Sequence, residues 1–290
     1  MARSRSLALD RPRLVAILNA TPDSFYEGSR LTDPGAIAAA AERAVAEGAD
    51  MLDIGGESTR PGAGAVSEAE QIRRVVPGIE AIRALQSPAG SVPISVDTTR
   101  SEVARRALEA GADAINDVSA GTDDPRILAL AAATGAGLVL MHRLVAPAQD
   151  NYSDRYETPP AYADVVAEVR GYLSNRASEA RAAGVGTDAI AIDPGLGFGK
   201  SVEQNVELIR RTGELAALGF PVVSAASRKS FVGRVSLGRD SMPEERLPGS
   251  LAMTVLHLAA GARLFRVHDV APHAAALRSA LALGVGRPVR

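Results

Sequence analysis

The 290-residue sequence contains no cysteine and no tryptophan, and aromatic residues make up only 3% of it. The absence of cysteine excludes disulfide bonds and thiolate metal sites, and it fits a cytoplasmic protein. Because aromatic residues are scarce, the core must be built from alanine, valine, leucine and isoleucine. The formal net charge of −2 lacks the positive excess of non-specific nucleic-acid binding, so we expect no nucleic-acid partner.

Long apolar runs are also missing. No stretch reaches the roughly 18 residues that a transmembrane helix needs, so no membrane partner is expected. Hydrophobic residues make up 46% of the chain and charged residues 23%, which is ordinary for a soluble globular protein with a sizeable core. Residues 1–12 are basic without the apolar core of a signal peptide, so we predict a frayed lead followed by a single domain over residues 13–290.

The stretch AIAIDPGLGFGK at residues 189–200 shows the pattern that organises the chain. Its first four residues predict a short strand buried on both faces, which ends at the carboxylate of Asp193. A proline and three alternate glycines then turn the chain sharply, and Ser201 can cap the next helix. Two phosphate-binding motifs nearly fit here. A P-loop would need glycine at Pro194, and a dinucleotide fingerprint would need glycine at Lys200, so both are excluded.

The same order of buried strand, polar residue and alanine-rich helix recurs along the whole chain. The polar residues that follow the eight predicted strands are Asn19, Asp53, Asp97, Asn116, His142, Asp193, Ser227 and His268. The predicted helices span residues 36–47, 68–85, 101–110, 125–133, 162–183, 202–218, 246–260 and 273–282. Eight such units predict an α/β fold, a single-domain TIM (β/α)8 barrel, in which the polar strand ends converge on one face. A doubly wound open sheet is the alternative, although it does not need eight units.

The loop after the first strand carries candidate metal ligands. Asn19 and Asp23 supply oxygen atoms at the predicted barrel mouth, and Pro22 and Ser24 make a turn. An amide and a carboxylate suit Mg²⁺, which usually takes one or two protein ligands and completes its shell with water and phosphate oxygens. The alternative is an Asx-type turn that holds no ligand.

The second loop, residues 55–63, is long and polar, and glycines and prolines flank Thr59 and Arg60. This composition predicts a mobile lid that folds over a site. Arg60 could then bind an anion by a bidentate contact. The alternative is a plain solvated connection.

Asp97, Asn116 and Asp193 end the third, fourth and sixth strands. Two carboxylates and an amide at one barrel mouth can bind a flat heterocycle that presents several N–H donors and ring-nitrogen acceptors. Buried carboxylates without partners cost several kcal/mol, so they imply a donor-rich ligand or basic neighbours. The alternative is a network among these residues and Lys229.

The last two strands are followed by basic residues. Lys229 and Ser230 lie at a predicted helix start, where free N–H groups favour anions. Alternation along the eighth strand places Arg266 and His268 on the same side. Because the phosphate site of a barrel frequently lies at strands seven and eight, we predict that this pair binds an anion.

Seven segments in order along nearly the whole chain resemble the dihydropteroate synthase family, which joins a dihydropterin pyrophosphate to 4-aminobenzoate. They are LNATPDSF (18–25), DIGGESTRPGA (53–63), SVDT (95–98), INDVS (115–119), DPGLGFGK (193–200), SRKSF (227–231) and RVHDV (266–270). The resemblance implies a transferase of folate biosynthesis that follows an SN1-like route to 7,8-dihydropteroate and pyrophosphate. It also implies Mg²⁺ as cofactor, a homodimer, and a target for sulfonamides.

The resemblance further implies a role for each candidate residue. The catalytic residues would be Asp97, Asp193, Lys229, Arg266 and His268. The substrate-binding residues would be Thr59, Arg60, Pro61, Asp97, Asn116, Asp193, Phe198, Lys229, Ser230, Arg266 and His268. Asn19 would bind Mg²⁺. Asp23, Ser24 and Ser58 would belong to two loops, residues 21–25 and 58–63, that close over the aminobenzoate pocket.

Some positions depart from the usual family pattern. Ala120 breaks a pair of glycines, Gln204 stands where histidine is common, and Ala225 stands where glycine is usual. Residues 143–160 do not match the fifth loop of the family, so the behaviour of that loop and the role of His142 stay open.

Two other functions remain as alternatives. A methyltetrahydrofolate-dependent corrinoid methyltransferase would share the pterin-binding residues but would have no use for Arg60 or for the pair Arg266 and His268. A catalytically silent pterin-binding paralogue could lose the pyrophosphate residues, which are intact here.

Overall fold

Residues 5–20 and 33–286 are described by a computed structural model of the chain. Within these ranges, eight strands alternate with helices. The strands are β1 (Arg13–Asn19), β2 (Met51–Gly55), β3 (Ile94–Asp97), β4 (Ala114–Asp117), β5 (Gly137–Met141), β6 (Ile190–Asp193), β7 (Val223–Ser224) and β8 (Leu264–Val267). The helices are α1 (Pro34–Glu47), α2 (Glu68–Arg83), α3 (Ser101–Glu109), α4 (Arg126–Thr134), α5 (Val165–Ala182), α6 (Val202–Arg210), α7 (Thr212–Ala216), α8 (Ser230–Leu237), α9 (Leu247–Ala260) and α10 (Val270–Ala282).

All eight strands are parallel and belong to one sheet, in the order β6-β5-β4-β3-β2-β1-β8-β7. The first strand pairs with both β2 and β8, which places the two ends of the chain side by side. A bridge between Ile192 and Val222 joins β6 to the residue before β7 and completes the circle. The predicted TIM barrel is therefore confirmed, and the open doubly wound sheet is excluded.

Local sequence explains where the helices begin. Asp33 caps α1 by accepting a hydrogen bond from the Ala36 backbone N–H. Ser201 caps α6 as predicted, and Gln204 completes a capping box with it. The Gln204 amide also donates to the Pro160 carbonyl at 2.7 Å, so this departure from the family pattern joins the helix start to the fifth loop.

The space between strands and helices is filled almost entirely by aliphatic side chains, as the scarcity of aromatic residues predicts. Ile37 of α1, Ile79 of α2 and Ile94 of β3 are fully buried there. Each such side chain contributes about 1.5–3 kcal/mol to folding. Phe231 and Phe265 are fully buried aromatic residues in the described ranges. This packing gives a rigid frame whose strand ends hold the polar residues in place.

Residues 5–12, the described part of the segment before β1, pack against the barrel, in contrast to the frayed lead that the sequence predicts. Leu7 and Leu9 are partly buried against the apolar layer at the amino ends of the strands. Arg11 pairs with Asp50 just before β2. The two leucines account for the difference, because they cover an apolar barrel end that water would otherwise contact.

The structure corrects one local prediction and confirms another. The single helix expected over residues 202–218 is divided at Arg211, whose backbone leaves the helical region (φ −103°, ψ 21°). The Thr212 hydroxyl donates to the Leu208 carbonyl at 2.9 Å, a local bond that competes with helix continuation. The helix start expected near residue 229 develops into the separate helix α8, before α9.

Ala120 adopts a left-handed backbone conformation (φ 54°), which explains why glycine is usual at this position. An alanine there costs about 1 kcal/mol. In the described part of the chain, no helix combines the length and the apolar character that crossing a membrane would require.

Candidate active site

A cavity of about 840 Å³ opens at the carboxyl ends of the strands. Every candidate residue that lies in the described ranges lines it: Asn19, Ser58, Thr59, Arg60, Pro61, Asp97, Asn116, Asp193, Phe198, Lys229, Ser230, Arg266 and His268. The other two candidates, Asp23 and Ser24, lie outside the described residues. The barrel thus brings together residues from seven separate segments of the chain.

Arg266 joins two buried carboxylates on the floor of this cavity. Its Nε atom donates to Asp53 Oδ2 at 2.6 Å, and its Nη2 atom donates to Asp97 Oδ2 at 2.7 Å. Ser95 Oγ and Asn116 Nδ2 also donate to Asp53, at 2.5 and 3.2 Å. Asp53 therefore orients both the guanidinium and the amide. The sequence placed Asp53 at a strand end, the same signal that singled out Asp97, but it was not among the candidates.

The floor holds more negative charge than positive charge. Burial raises the pKa of Asp97 to about 7; Arg266 opposes this rise, and the carboxylate of Asp53 adds to it. Burial also raises the pKa of Asp193. A ligand with several N–H donors would lower the free energy of these carboxylates by supplying the missing partners.

The glycine-rich loop after β6 arranges three groups of the cavity. The Gly195 backbone N–H donates to Asp193 Oδ1 at 2.7 Å. Lys229 Nζ donates to the Leu196 carbonyl and lies 4.4 Å from the centroid of the Phe198 ring. Burial lowers the pKa of Lys229 to about 8, and the charge of Asp193 opposes that shift. The ammonium therefore contacts the loop and influences Asp193 through its electric field.

The last strand ends at the cationic side of the cavity. Ser227 Oγ lies 3.1 Å from His268 Nδ1 and also accepts the His268 backbone N–H at 3.2 Å. Burial lowers the pKa of His268, and the positive charges of Arg266, Arg228 and Arg60 lower it further. The imidazole is thus neutral at physiological pH, within a positive field that favours an anion.

The second loop crosses above the cavity and is tied at its base. Glu57 accepts hydrogen bonds from the Val66 backbone N–H at 2.8 Å and from Gln71 Nε2 at 3.0 Å. The Gly62 backbone N–H donates to the Pro147 carbonyl of the fifth loop at 3.0 Å. That this loop is a mobile lid stays a prediction. In the structure, hydrogen bonds of Glu57 hold the start of the loop, and Gly62 contacts the fifth loop near its end.

The fifth loop supplies residues that the sequence did not single out. Tyr152, Asp154 and Arg155 line the outer part of the cavity. His142 does not line it; its buried ring lies edge-on to Tyr172, with centroids 4.9 Å apart. The open question about His142 is therefore answered in favour of a structural position. No motif marks Tyr152 or Arg155, because their place depends on how a long loop folds back.

In a comparison with known protein families, the family of pterin binding enzymes matches residues 15–268 of this chain. Dihydropteroate synthase from Synechocystis sp. is 43% identical over 261 residues, which cover 90% of this chain and 86% of the relative. The chain belongs to the dihydropteroate synthase family. The resemblance in the seven segments is thus confirmed.

Two solved structures of the family have the same fold. Dihydropteroate synthase from Xanthomonas albilineans with 4-aminobenzoic acid matches with a TM-score of 0.84 and 43% identity, over 98% of this chain and 96% of that chain. The enzyme from the same organism in complex with 7,8-dihydropteroate matches with a TM-score of 0.83 and 41% identity, over 99% and 98%.

Proposed function

We propose that this protein is a dihydropteroate synthase. It condenses 6-hydroxymethyl-7,8-dihydropterin pyrophosphate with 4-aminobenzoate and releases 7,8-dihydropteroate and pyrophosphate in folate biosynthesis. The observation that carries the proposal is one cavity whose lining combines a floor of buried carboxylates with a cationic wall, formed by Arg266, His268 and Arg60, directly beside it. Relatives in the family bind 4-aminobenzoic acid and 7,8-dihydropteroate, which are one substrate and the product of this reaction.

The carboxylate floor supports the role proposed for the pterin ring. A pterin presents N–H donors along one edge, and Asp193 and Asp97 offer acceptors for them. Asn116 and Lys229 can donate to the ring nitrogen and carbonyl acceptors of the same ligand. Asp53 contributes indirectly, because it holds the guanidinium of Arg266 in place beside the ring.

The cationic wall would hold the pyrophosphate. Arg266 and His268 stabilise the charge that develops on the leaving group, and Arg60 adds to the positive field from the second loop. Asn19 would bind Mg²⁺ at the end of β1. Among the described residues, no group of three acidic, histidine or cysteine side chains could hold a metal alone. Mg²⁺ takes most of its ligands from water and phosphate, so one amide oxygen such as that of Asn19 fits it, and it would neutralise pyrophosphate charge when bound.

The order of bond breaking follows from these charges. Loss of pyrophosphate leaves a cationic methylene that is delocalised into the pterin, and the carboxylates of Asp97 and Asp193 stabilise it. The arylamine is a neutral nucleophile that needs positioning more than deprotonation. An SN1-like route therefore fits this site better than direct displacement.

The aminobenzoate pocket is proposed beside the glycine-rich loop. Phe198, Pro61, Lys229 and Ser230 all line the cavity, and the Lys229 ammonium lies 4.4 Å from the centroid of the Phe198 ring. Ser230 begins α8, whose free N–H groups favour a carboxylate. The homodimer, the cytoplasmic location and the sulfonamide sensitivity are further parts of the proposal that rest on the family resemblance.

A turnover assay tests the function. Purified protein with Mg²⁺, dihydropterin pyrophosphate and 4-aminobenzoate should release one pyrophosphate for each 7,8-dihydropteroate formed, and the His268→Ala variant serves as the control. A corrinoid methyltransferase would instead consume methyltetrahydrofolate without releasing pyrophosphate. A silent paralogue would bind the pterin with no turnover.

A further inference from the structure

The chain contains only two lysines, Lys200 and Lys229, among its 32 basic residues other than histidine. Both ammonium groups contact the glycine-rich loop, residues 195–199, which follows β6. Lys229 Nζ donates to the Leu196 carbonyl from the side of the cavity, and Lys200 Nζ lies on the inside of the loop. Arginine serves every other basic position. Lysine occurs at the two positions where a basic group contacts main-chain oxygens of this loop. A compact ammonium fits these oxygens better than a planar guanidinium.

Lys200 is among the largest fully buried side chains in the described ranges. Its Nζ atom donates to the Phe198 carbonyl at 2.8 Å and to the Gly195 carbonyl at 3.0 Å, and it lies 3.0 Å from His142 Nδ1. Burial, with the nearby charge of Lys200, lowers the pKa of His142 to about 2, so the imidazole is neutral and accepts a hydrogen bond. The three nearest acceptors match the three N–H donors of one ammonium, and the His142 carbonyl oxygen lies farther away, at 3.4 Å.

The loop needs this internal partner because of its shape. Gly195, Gly197 and Gly199 all have left-handed backbone angles (φ 67°, 79° and 62°). A Cβ atom on Gly195 would lie 1.8 Å from the His142 carbonyl oxygen, so the loop folds tightly over the end of β5. Carbonyl oxygens that converge inside such a turn repel one another unless a donor lies between them, and Lys200 supplies that donor although burial lowers its pKa to about 7.

The outer side of the same loop positions three groups of the active site. The Gly195 backbone N–H holds Asp193, the Leu196 carbonyl holds Lys229, and the Phe198 ring packs beneath the Lys229 ammonium. We propose that Lys200 is a positioning residue for the reaction. Its buried ammonium holds the loop in the shape that places Lys229 and Phe198 at the aminobenzoate pocket. The occupant of that pocket rests on the proposed function.

The fifth loop holds the other end of the same loop from outside. Asp150 Oδ2 accepts the Gly199 backbone N–H at 2.8 Å, and its Oδ1 accepts from the Asn151 backbone and the Tyr156 hydroxyl. Tyr162 Oη donates to the Gly199 carbonyl at 2.9 Å. The segment that departs from the family pattern thus acts on the glycine-rich loop together with Lys200.

Kinetics of the Lys200→Met variant test the proposal. Methionine keeps the length of the side chain but removes the charge and all three donors. We expect the KM for aminobenzoate to rise about tenfold and the KM for the pterin pyrophosphate to rise less, because Phe198 serves only the aminobenzoate pocket and Asp193 stays fixed at the end of β6. Lys200→Arg should show the same split, because a guanidinium does not fit three converging acceptors; a normal aminobenzoate KM in this variant would overturn the proposal.

Ile82→Ala in α2 is the matched control, because it removes a fully buried side chain that is not part of the loop. It should lower the melting temperature and leave both KM values unchanged. If Lys200→Met behaves in the same way, Lys200 is a core residue and the proposal is wrong. If Lys200→Met does not fold, Asp150→Asn tests the loop from its other end. It should raise the aminobenzoate KM about threefold, and an unchanged KM would overturn the proposal.

A second readout does not depend on turnover. In protein labelled at lysine side chains, only two side-chain NMR signals are expected. Lys200→Met should remove one signal and shift the other, because the loop that contacts Lys229 changes shape. A Lys229 signal at its original position would overturn the proposal. This result stands even if the protein makes no dihydropteroate, so failure of the inference and failure of the proposed function are distinguishable.

Discussion

The two ends of the barrel differ in how many hydrogen-bond and ion-pair partners they supply to their carboxylates. At the amino-terminal end, Asp113 accepts from Arg83 at 2.6 Å and from the Ile94 backbone N–H at 3.0 Å. Asp50 accepts from Arg13 and from the Leu14 backbone, both at 3.0 Å. Each carboxylate there has a basic side chain and a main-chain donor. This end is saturated with internal partners, and its apolar layer is covered by the segment before β1.

At the carboxyl-terminal end, the partners are fewer. Asp53 and Asp97 share the single guanidinium of Arg266, and Asp193 accepts one main-chain N–H. Burial raises the pKa of Asp97 and of Asp193, which shows that their ionised forms are incompletely compensated. The same residue type thus contributes stability at one end and holds unused acceptors for a ligand at the other.

The largest effect is expected at the cationic wall. His268→Ala should reduce turnover about 100-fold, because it removes a donor to the leaving group. Arg266→Ala should reduce it further, since it also leaves Asp53 and Asp97 without their shared cation. Pyrophosphate release measures turnover, and calorimetry measures binding of a pterin that lacks pyrophosphate. That binding should be weakened much less in His268→Ala; equal losses would show that His268 supports the pocket instead.

The saturated end should respond in stability alone. Asp113→Asn breaks a buried ion pair with Arg83 and should lower the free energy of unfolding by about 3 kcal/mol. Denaturant titration measures this change. Pterin affinity of the folded variant should equal that of the parent protein. A loss of affinity would mean that the two ends of the barrel are not independent.

The open end should also impose an order of binding. Without the other ligands, only Lys229 and Ser230 contact the carboxylate of aminobenzoate. This contact contributes about 1 kcal/mol to the binding free energy. Its affinity should rise at least about tenfold once pterin, Mg²⁺ and pyrophosphate fill the mouth and residues 58–63 close over them. Calorimetric titration of aminobenzoate with and without these ligands measures the change in affinity. Sulfonamides should show the same order of binding. Equal affinities would indicate a preformed pocket and no lid at residues 58–63.

A smaller effect is expected from pH. Because burial lowers the pKa of Lys229 to about 8, its positive charge is present below that pH and is lost above it. Aminobenzoate affinity should therefore fall by up to about tenfold for each pH unit above 8. Lys229→Arg keeps a charged side chain, so its weaker binding should lack this alkaline decline. The same decline in the arginine variant would assign the titration to a different group.

Much of the architecture followed from the sequence, for a physical reason. In a parallel barrel, the residue at each strand end must lie at the mouth, so Asp97, Asn116 and Asp193 could be placed together by strand prediction alone. The helix cap at Ser201 could also be predicted, because its partner Gln204 lies only three residues along the chain. Both inferences depend on short stretches of chain whose geometry is set by neighbours in sequence.

Features that depend on side-chain direction could not be predicted in this way. Lys200 follows a glycine in a loop, and nothing in its spacing shows that it turns inward to bind carbonyl oxygens. The break at Arg211 results from a hydroxyl bond that competes with the helix. Tyr152 and Arg155 reach the cavity only because the fifth loop folds back over it.

The most direct test of the difference between the two ends is Asp193→Asn, measured by pterin calorimetry and thermal melting of one preparation. An amide keeps the volume of the side chain, but it presents a donor where the pterin also has a donor. We predict a loss of about 1–3 kcal/mol or more in pterin affinity with an unchanged or higher melting temperature, because a buried charge is removed. Unchanged affinity with normal melting would contradict the assignment of this carboxylate to the pterin.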